Sequence, residues 1–319
     1  MIGIDVGGAN IKVVDDTGCV HIHYCPLWED APLATILRQY KSAGQDAAAV
    51  VMSGELADCF ENKLQGIAFI VDAVREVFPG ALFYGTDAAF HRALVPQLAA
   101  ANWLAAADLL RERYPDAVLV DVGSTTADII PLARFSELRG LTDLRRLQKG
   151  YLIYTGMLRT NIVALLSSVN IHGVDTPVSA EYFATSADAH LVLCHISPEQ
   201  YSCDTPNKKE KTNAASLRRL ARVVCADLDE IGEEGAMQVA RQFWERQRML
   251  VCDGILRVVR NTRATSVIVA GIGAPLFAEE CGGIVLSDEL GAVADALPAY
   301  AVREIVQWDG SIPGSPVGT

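Results

Sequence analysis

Ile2-Gly3-Ile4-Asp5-Val6-Gly7-Gly8-Ala9-Asn10-Ile11-Lys12 opens the chain after Met1, and its design returns 116 residues later. The second copy is Ala117-Val118-Leu119-Val120-Asp121-Val122-Gly123-Ser124-Thr125-Thr126-Ala127-Asp128. Each copy is an apolar run that reaches a carboxylate, turns through small residues and continues as a second strand, over 11–15 and 129–132. That is the pattern of a buried strand with its return strand. A turn of small residues exposes backbone N–H groups, and a concave row of such donors binds phosphate oxygens. Asp5 or Asp121 alone would repel a bare phosphate, so a divalent cation between carboxylate and phosphate is expected. Two such loops, from duplicated halves facing across a cleft, predict a ligand that carries a polyphosphate.

A third glycine turn supports this. The apolar run Ser266-Val267-Ile268-Val269-Ala270 ends in Gly271-Ile272-Gly273-Ala274-Pro275, with a helix expected from Leu276. Glycine turns and helix N-termini favour anionic or polar ligand groups. The residues assigned to the phosphate ligand are Gly7, Gly8, Asn10 and Lys12 in loop one, Gly123, Ser124, Thr125 and Thr126 in loop two, and Gly271 and Gly273 in the third turn. The metal is assigned to Asp5, Asp121 and Asp128, the last standing at the Lys12 position of the second copy.

With 319 residues, half of them hydrophobic, the chain has material for two cores. The expected division is 1–113, carrying loop one, and 114–319, carrying loop two, a helical insertion at about 150–260 and the third turn. A net charge of −12 without a basic patch argues against nucleic-acid partners and anionic membranes. The cluster Lys208-Lys209-Glu210-Lys211 reads as a solvated loop. No apolar run reaches membrane-spanning length, and Met1 leads straight into a core strand. Eight cysteines without CxxC spacing fit a reduced, cytoplasmic protein. His21, His23 and Cys25 alternate along one strand, either as a half-solvated face or as a zinc site.

Strands are expected at 2–6, 10–15, 19–25, 47–52, 81–84, 117–122, 129–132 and 266–270. Helices are expected at 33–41, 61–77, 97–113, 151–168, 214–230, 233–260 and 288–308. The Asp16-Thr17-Gly18 stretch marks a hairpin turn. Strands alternating with helices imply α/β architecture. The 170–213 stretch reads as irregular, with loops placed to form a lid, and 310–319 as a frayed tail.

Two Asp-x-Gly strand-turn-strand loops with a later Gly-x-Gly turn resemble the superfamily of actin, sugar kinases and acetate kinases. That implies duplicated ribonuclease H-like domains, as in actin-like ATPases, with a cleft between them. Gly150-Tyr151-Leu152-Ile153-Tyr154-Thr155-Gly156-Met157-Leu158-Arg159-Thr160 resembles the Tyr-Thr-Gly-x-x-Arg-Thr segment of its hydantoinase/oxoprolinase-like branch. Asn161 stands where larger relatives carry proline, and the chain is far shorter than a hydantoinase subunit. Four features resemble a small subfamily linked to tetrahydromethanopterin-dependent one-carbon metabolism. They are Gly7-Gly8-Ala9-Asn10; Ser53-Gly54-Glu55-Leu56-Ala57-Asp58 with Lys63 and Gly66; Glu181-Tyr182-Phe183-Ala184-Thr185 with Asp188; and Arg219-Leu220-Ala221-Arg222 with Cys225-Ala226-Asp227. In archaea this subfamily is associated with a step of methanofuran biosynthesis. The resemblance implies a transferase that joins an aminomethylfuran-methyl diphosphate to the phenol oxygen of γ-glutamyltyramine and releases pyrophosphate. Its partners would be those two small molecules, with Mg²⁺ as cofactor and ATP not required; a homo-oligomer is compatible with this.

Displacing diphosphate from a furfuryl carbon needs a stabilised leaving group, which loop donors and a metal supply. Lys12 is either a point charge for phosphate or an exposed strand lysine. A phenol attacks better when a carboxylate takes its proton. Glu55 follows the 47–52 strand, at the strand end where open α/β sheets place ligands, and is the expected base. Asp58 is either a second catalytic carboxylate or the cap of the next helix. Lys63 would pair with that carboxylate or contact phosphate. Arg159 would grip phosphate or the glutamyl carboxylate, or else form a structural ion pair. Arg219, Arg222 and Asp227 read most simply as a salt-bridged helix, and Cys225 as a buried small hydrophobe. The competing reading is an ATP-dependent small-molecule kinase, with Gly271 and Gly273 at adenine and ribose. A nucleotide-driven switch is a third, for which the cysteines offer no cluster spacing.

Overall fold

In the computed structural model the described residues are 1–29 and 31–308; the 310–319 tail lies outside them. The first half begins with β1 (Ile2–Val6), β2 (Asn10–Val14) and β3 (Val20–Tyr24). Next come α1 (Leu33–Arg38), β4 (Ala48–Met52), α2 (Lys63–Val77), β5 (Leu82–Tyr84) and β6 (Phe90–His91). They form a sheet ordered β3-β2-β1-β4-β5-β6, in which β1, β4 and β5 run parallel. All five residues of β1 and of β4 are buried, as continuous apolar runs covered on both faces require. On α2, Ile67, Ile70, Val71 and Val74 form the buried stripe, and the Asn62 side chain caps the helix by accepting from the Gln65 amide at 3.1 Å. The β2–β3 turn is held by the Asp15 carboxylate, which accepts from the amides of Thr17 and Cys19, each at 2.9 Å.

After α3 (Asn102–Leu110) the design repeats as β7 (Ala117–Val122) and β8 (Ala127–Pro131). There follow α4 (Phe135–Leu138), α5 (Asp143–Lys149), β9 (Leu152–Ile153), the hairpin β10 (Ser168–Ile171) and β11 (Val174–Pro177), and α6 (Ser186–Val192). The chain ends through α7 (Asn213–Arg222), α8 (Leu228–Thr262), β12 (Ser266–Ala270), α9 (Ala274–Cys281), β13 (Ile284–Val285), α10 (Leu286–Leu290) and α11 (Leu297–Trp308). The second large sheet is β13-β12-β7-β8-β9. Read from β9, it repeats the β3-β2-β1-β4-β5 order of the first, with the same parallel and antiparallel senses. Asp5 pairs with Lys12 in one hairpin and Asp121 with Asp128 in the other, so even the register is duplicated. This is an α/β fold of two ribonuclease H-like halves. A shared core joins them: Ala49, Val51 and Tyr84 pack with Trp103 and Leu104 of α3, Leu119 and Ile268 of the second sheet, and Val302 and Val306 of α11.

Several elements differ from the sequence expectation. The helix expected at 151–168 is absent; the segment gives β9, a bend, a single 3₁₀ turn at Ile162–Ala164 and the start of β10. The amides of Met157, Leu158 and Arg159 donate to carbonyls of loop two, so tertiary hydrogen bonds replace helical ones. The stretch read as irregular contains the β10–β11 hairpin, turned by His172 (φ 49°) and Gly173 (φ 90°), and α6. The helix expected at 288–308 divides into α10, a 3₁₀ stretch and α11. No helix among the described residues is long and apolar enough to cross a membrane.

Two subfamily-like segments meet in the interior of the insertion. Asp188, fully buried, accepts from Arg219 Nε at 2.8 Å, Ser216 Oγ at 2.8 Å and the Tyr201 hydroxyl at 3.2 Å, and it closes the capping box with Thr185. Asp227 caps α8, accepting from the amides of Asp229 and Glu230. Cys225, read as buried, is exposed in a left-handed turn (φ 59°). Nearby His190 is fully buried, with Nε2 2.8 Å from Gln247 Oε1 and Nδ1 3.0 Å from His195. Burial pushes it down to about 3, with His195 adding and Gln247 opposing. Between its ordinary 6.5 and about 3, the unfolded chain therefore binds a proton that the fold rejects. Stability is lost as pH falls through that window, by up to roughly 5 kcal/mol. His190→Gln should flatten the acid limb of the stability–pH curve; an unaltered limb would show that His190 does not cause it.

Candidate active site

The two loops are built alike. In loop one the Gly7 amide donates to Asn10 O at 2.9 Å, and in loop two Gly123 donates to Thr126 O at 2.9 Å. Their carbonyls are held from behind. Gly8 and Ala9 accept from Leu27 and Cys25, while Gly123 accepts from Met157 and Ser124 from Leu158 and Arg159, all at 2.9–3.0 Å. The amides of Gly8, Ala9, Ser124 and Thr125 find no acceptor among the described residues. Donors with no partner, on a turn whose carbonyls are tied back, are free to meet an anion.

Close backbone approaches bring the remaining turns in. A Cβ on Gly156 would lie 2.6 Å from the backbone of Ser124 and Thr125, so the Tyr-Thr-Gly segment lies directly against loop two. Gly271 has φ +82°, and a Cβ there would lie 2.4 Å from Asp121 Oδ1. The third turn thus abuts the carboxylate at the end of β7, and the Gly273 amide donates to Val122 O at 3.0 Å.

Asp5 is 5% exposed, and its Oδ1 has no partner among the described residues. Burial lifts its carboxyl to about 6; Lys12 opposes the shift and Asp121 adds to it. Asp121 is raised by burial and opposed by Lys12. Asp5 therefore senses the carboxylate of the other half, with the Lys12 ammonium acting on both. Lys12 Nζ is anchored by donating to Asp295 O at 2.7 Å. Asp128 has a different partner: it forms an ion pair with Arg146, which also donates to Asp143 Oδ1 at 2.7 Å. Burial lifts Asp128 to about 6, with Arg146 opposing. Arg146 is 3% exposed and stacks 4.3 Å from the Trp103 ring centroid. The sequence offers no hint of it beyond the adjacent arginines Arg145 and Arg146, and no helix is expected there.

Glu55 is 1% exposed with Oε2 unpartnered among the described residues. Burial raises its carboxyl; nearby backbone amides of Glu55 and Ala100 and the Lys63 charge oppose this, and Asp143 of the second half adds to it. Ala100 adopts φ 47°, a left-handed conformation costly for a residue with a side chain. Lys63 opens α2, and Asp58 is exposed; the cap of that helix is Asn62, not Asp58. Arg159 lies beside loop two through its backbone, and its guanidinium stacks 4.6 Å from the ring centroid of Trp28 in the first half.

Among the described residues no group of three or more His, Cys, Asp or Glu side chains is arranged to hold a metal. His21 pairs with Asp15 at 2.9 Å and His23 with the Tyr40 hydroxyl, which accounts for both as ordinary strand residues. Mg²⁺ keeps several waters and takes one or two carboxylates plus phosphate oxygens. Asp5, with its unpartnered oxygen, and Asp121 fit that requirement.

Residues 46–293 match the hydantoinase/oxoprolinase family model. The chain belongs to the hydantoinase/oxoprolinase family. The matched segment holds loop two, the third turn, Glu55 and Arg159. A relative from Methanocaldococcus jannaschii, named (4-{4-[2-(gamma-L-glutamylamino)ethyl]phenoxymethyl}furan-2-yl)methanamine synthase, is 33% identical over 324 residues, covering 96% of this chain and 97% of the relative. A synthase of the same name from Methanococcus vannielii is 32% identical over 177 residues, covering 56% and 80%. Among solved structures, an archaeal actin homolog in complex with ADP shows 16% identity and a TM-score of 0.46, covering 95% of this chain and 99% of its own. A ROK hexokinase from Thermus thermophilus shows 15% identity and a TM-score of 0.45, covering 97% and 99%.

Proposed function

We propose that this family member is a transferase of methanofuran biosynthesis, joining an aminomethylfuran-methyl diphosphate to the phenol oxygen of γ-glutamyltyramine. The near full-length likeness to the Methanocaldococcus jannaschii synthase carries the reading. That relative's name describes a product in which a phenoxymethyl ether links a furan methanamine to a glutamylaminoethyl arm. In the reaction the furfuryl C–O bond breaks with its electron pair leaving on pyrophosphate. The phenol oxygen forms the new C–O bond, and its proton passes to a base.

Each part of this chemistry has residues suited to it. The unpartnered amides of Gly8, Ala9, Ser124 and Thr125, with the side chains of Asn10, Thr125 and Thr126, would stabilise the departing charge. Lys12 adds a fixed positive charge between the two halves. Asp5 and Asp121 would hold Mg²⁺, whose contribution when bound is to neutralise the diphosphate. Asp128 would act at one remove, orienting Arg146 and its neighbour Asp143. Glu55, whose carboxyl burial raises, would take the phenol proton.

The test compares two mixtures with the purified chain and Mg²⁺. Pyrophosphate release that requires both the furfuryl diphosphate and γ-glutamyltyramine, with the ether detected by mass spectrometry, supports the transferase. Steady phosphate release from ATP with no pyrophosphate from the first mixture would replace it with the kinase.

A further inference from the structure

We infer that the mouth of the cleft holds a subsite for the amino-acid end of the acceptor, in which Arg159 receives its carboxylate, Asp204 its ammonium, and Trp28 and Tyr24 its aromatic ring. The inference rests on the transferase reading and extends it to residues that reading leaves without a role.

Four observations converge there. Arg159 is fixed beside loop two by its backbone, yet its guanidinium crosses to the Trp28 ring of the opposite half, 4.6 Å from the centroid. Among the described residues its guanidinium has no ion pair or hydrogen bond beside that stacking, so its donors are available to a planar anion. Exposed aromatic rings lie within reach of its charge: Trp28, 36% exposed, against the guanidinium, and Tyr24, 44%, and Tyr182, 54%, whose hydroxyls it acts on. Apolar surface clustered around an unpaired guanidinium is the composition of a ligand site rather than of an ordinary exterior. Finally, Cys203 Sγ lies 3.8 Å from Leu158 O, which places the exposed Asp204 next to the Arg159 segment. Consistently, the Tyr24 hydroxyl is raised first by burial, with Asp204 and Glu29 adding and Arg159 opposing.

A guanidinium against a ring face, with a carboxylate on the adjoining segment, complements a zwitterionic amino acid attached to an aromatic ring. γ-Glutamyltyramine has that form: an α-carboxylate and α-ammonium at one end and a phenol at the other. Tyramine has the same ring without the carboxylate. Because Trp28 and Arg159 belong to different halves, an acceptor held by both would bridge the halves beside the diphosphate.

Calorimetric titration of the full chain, preloaded with Mg²⁺ and inorganic pyrophosphate, tests this with γ-glutamyltyramine and tyramine as probes. The wild type should bind γ-glutamyltyramine at least about tenfold more tightly than tyramine. Arg159→Met should erase that preference while leaving tyramine and pyrophosphate affinity unchanged, and Arg159→Lys should restore part of it. Trp28→Ala should weaken both phenols, and Trp28→Phe should recover most of the loss. Discrimination that survives Arg159→Met overturns the assignment, as does a loss of pyrophosphate binding, which would put Arg159 in the phosphate clamp. Failure of the wild type to bind γ-glutamyltyramine would overturn the transferase reading and this subsite together. Binding without the predicted mutant effects would overturn the subsite alone.

Discussion

Asp121→Asn and Asp5→Asn should each lower the rate of pyrophosphate release by about a thousandfold or more, because each removes half of the charge that would hold Mg²⁺ against the diphosphate. The same substitutions should not weaken the empty fold. Asp5 is lifted from 3.8 to about 6 chiefly by burial, so ionising it in the folded chain is unfavourable. A raised carboxyl contributes stability below its ordinary value, and that contribution is lost as pH rises through about 6. A shift of this size corresponds to about 3 kcal/mol. Asp5→Asn removes the cost, so its melting temperature should exceed that of the wild type at pH 8 and approach it at pH 4. Rate and stability thus move in opposite directions, the signature of a charge kept for chemistry rather than for folding. Full activity in either variant would refute the metal assignment. Lower stability at pH 8 would show that the carboxylate is a structural acceptor.

Glu55→Gln should lower turnover by about a hundredfold while changing KM for the acceptor by less than about threefold, since a positioned proton acceptor contributes roughly that much to the rate. The amide is isosteric, so the packing around residue 55 is retained. The unpartnered Oε2 of Glu55 is enclosed in this structure, and Asp143 of the second half senses its charge. As the base, Glu55 would have to gain access to the phenol at that point. The substitution separates two roles. A stable Glu55→Gln chain with unchanged turnover would make Glu55 a buried carboxylic acid of the interface, and the proton would have to leave by another group.

The strand-turn-strand copies were legible because their information is local. Asp5 to Lys12 and Asp121 to Asp128 each encode a buried strand, a turn that only small residues allow and a return strand, and the hairpins form with matching register. Loop donors, facing carboxylates and the α/β class followed from those few residues. The 151–168 segment was misread for the opposite reason. Its apolar spacing suits a helix, but Gly156 admits the backbone of loop two, and the carbonyls of Gly123 and Ser124 take the amides a helix would have used.

By itself the sequence determined the two strand-turn-strand copies, their turns of small residues and the placement of Asp5 and Asp121 near strand ends, because hydrophobic alternation and turn chemistry act over a few neighbouring residues. Only the tertiary structure decided which charges meet. Arg146 reaches Asp128 and Asp143, the Lys12 ammonium, held by Asp295 O, acts on the acids of both halves, and Arg159 crosses to Trp28. Those meetings depend on how the two sheets are set against a shared core, and an electrostatic field acts through space, where distance along the chain has no bearing.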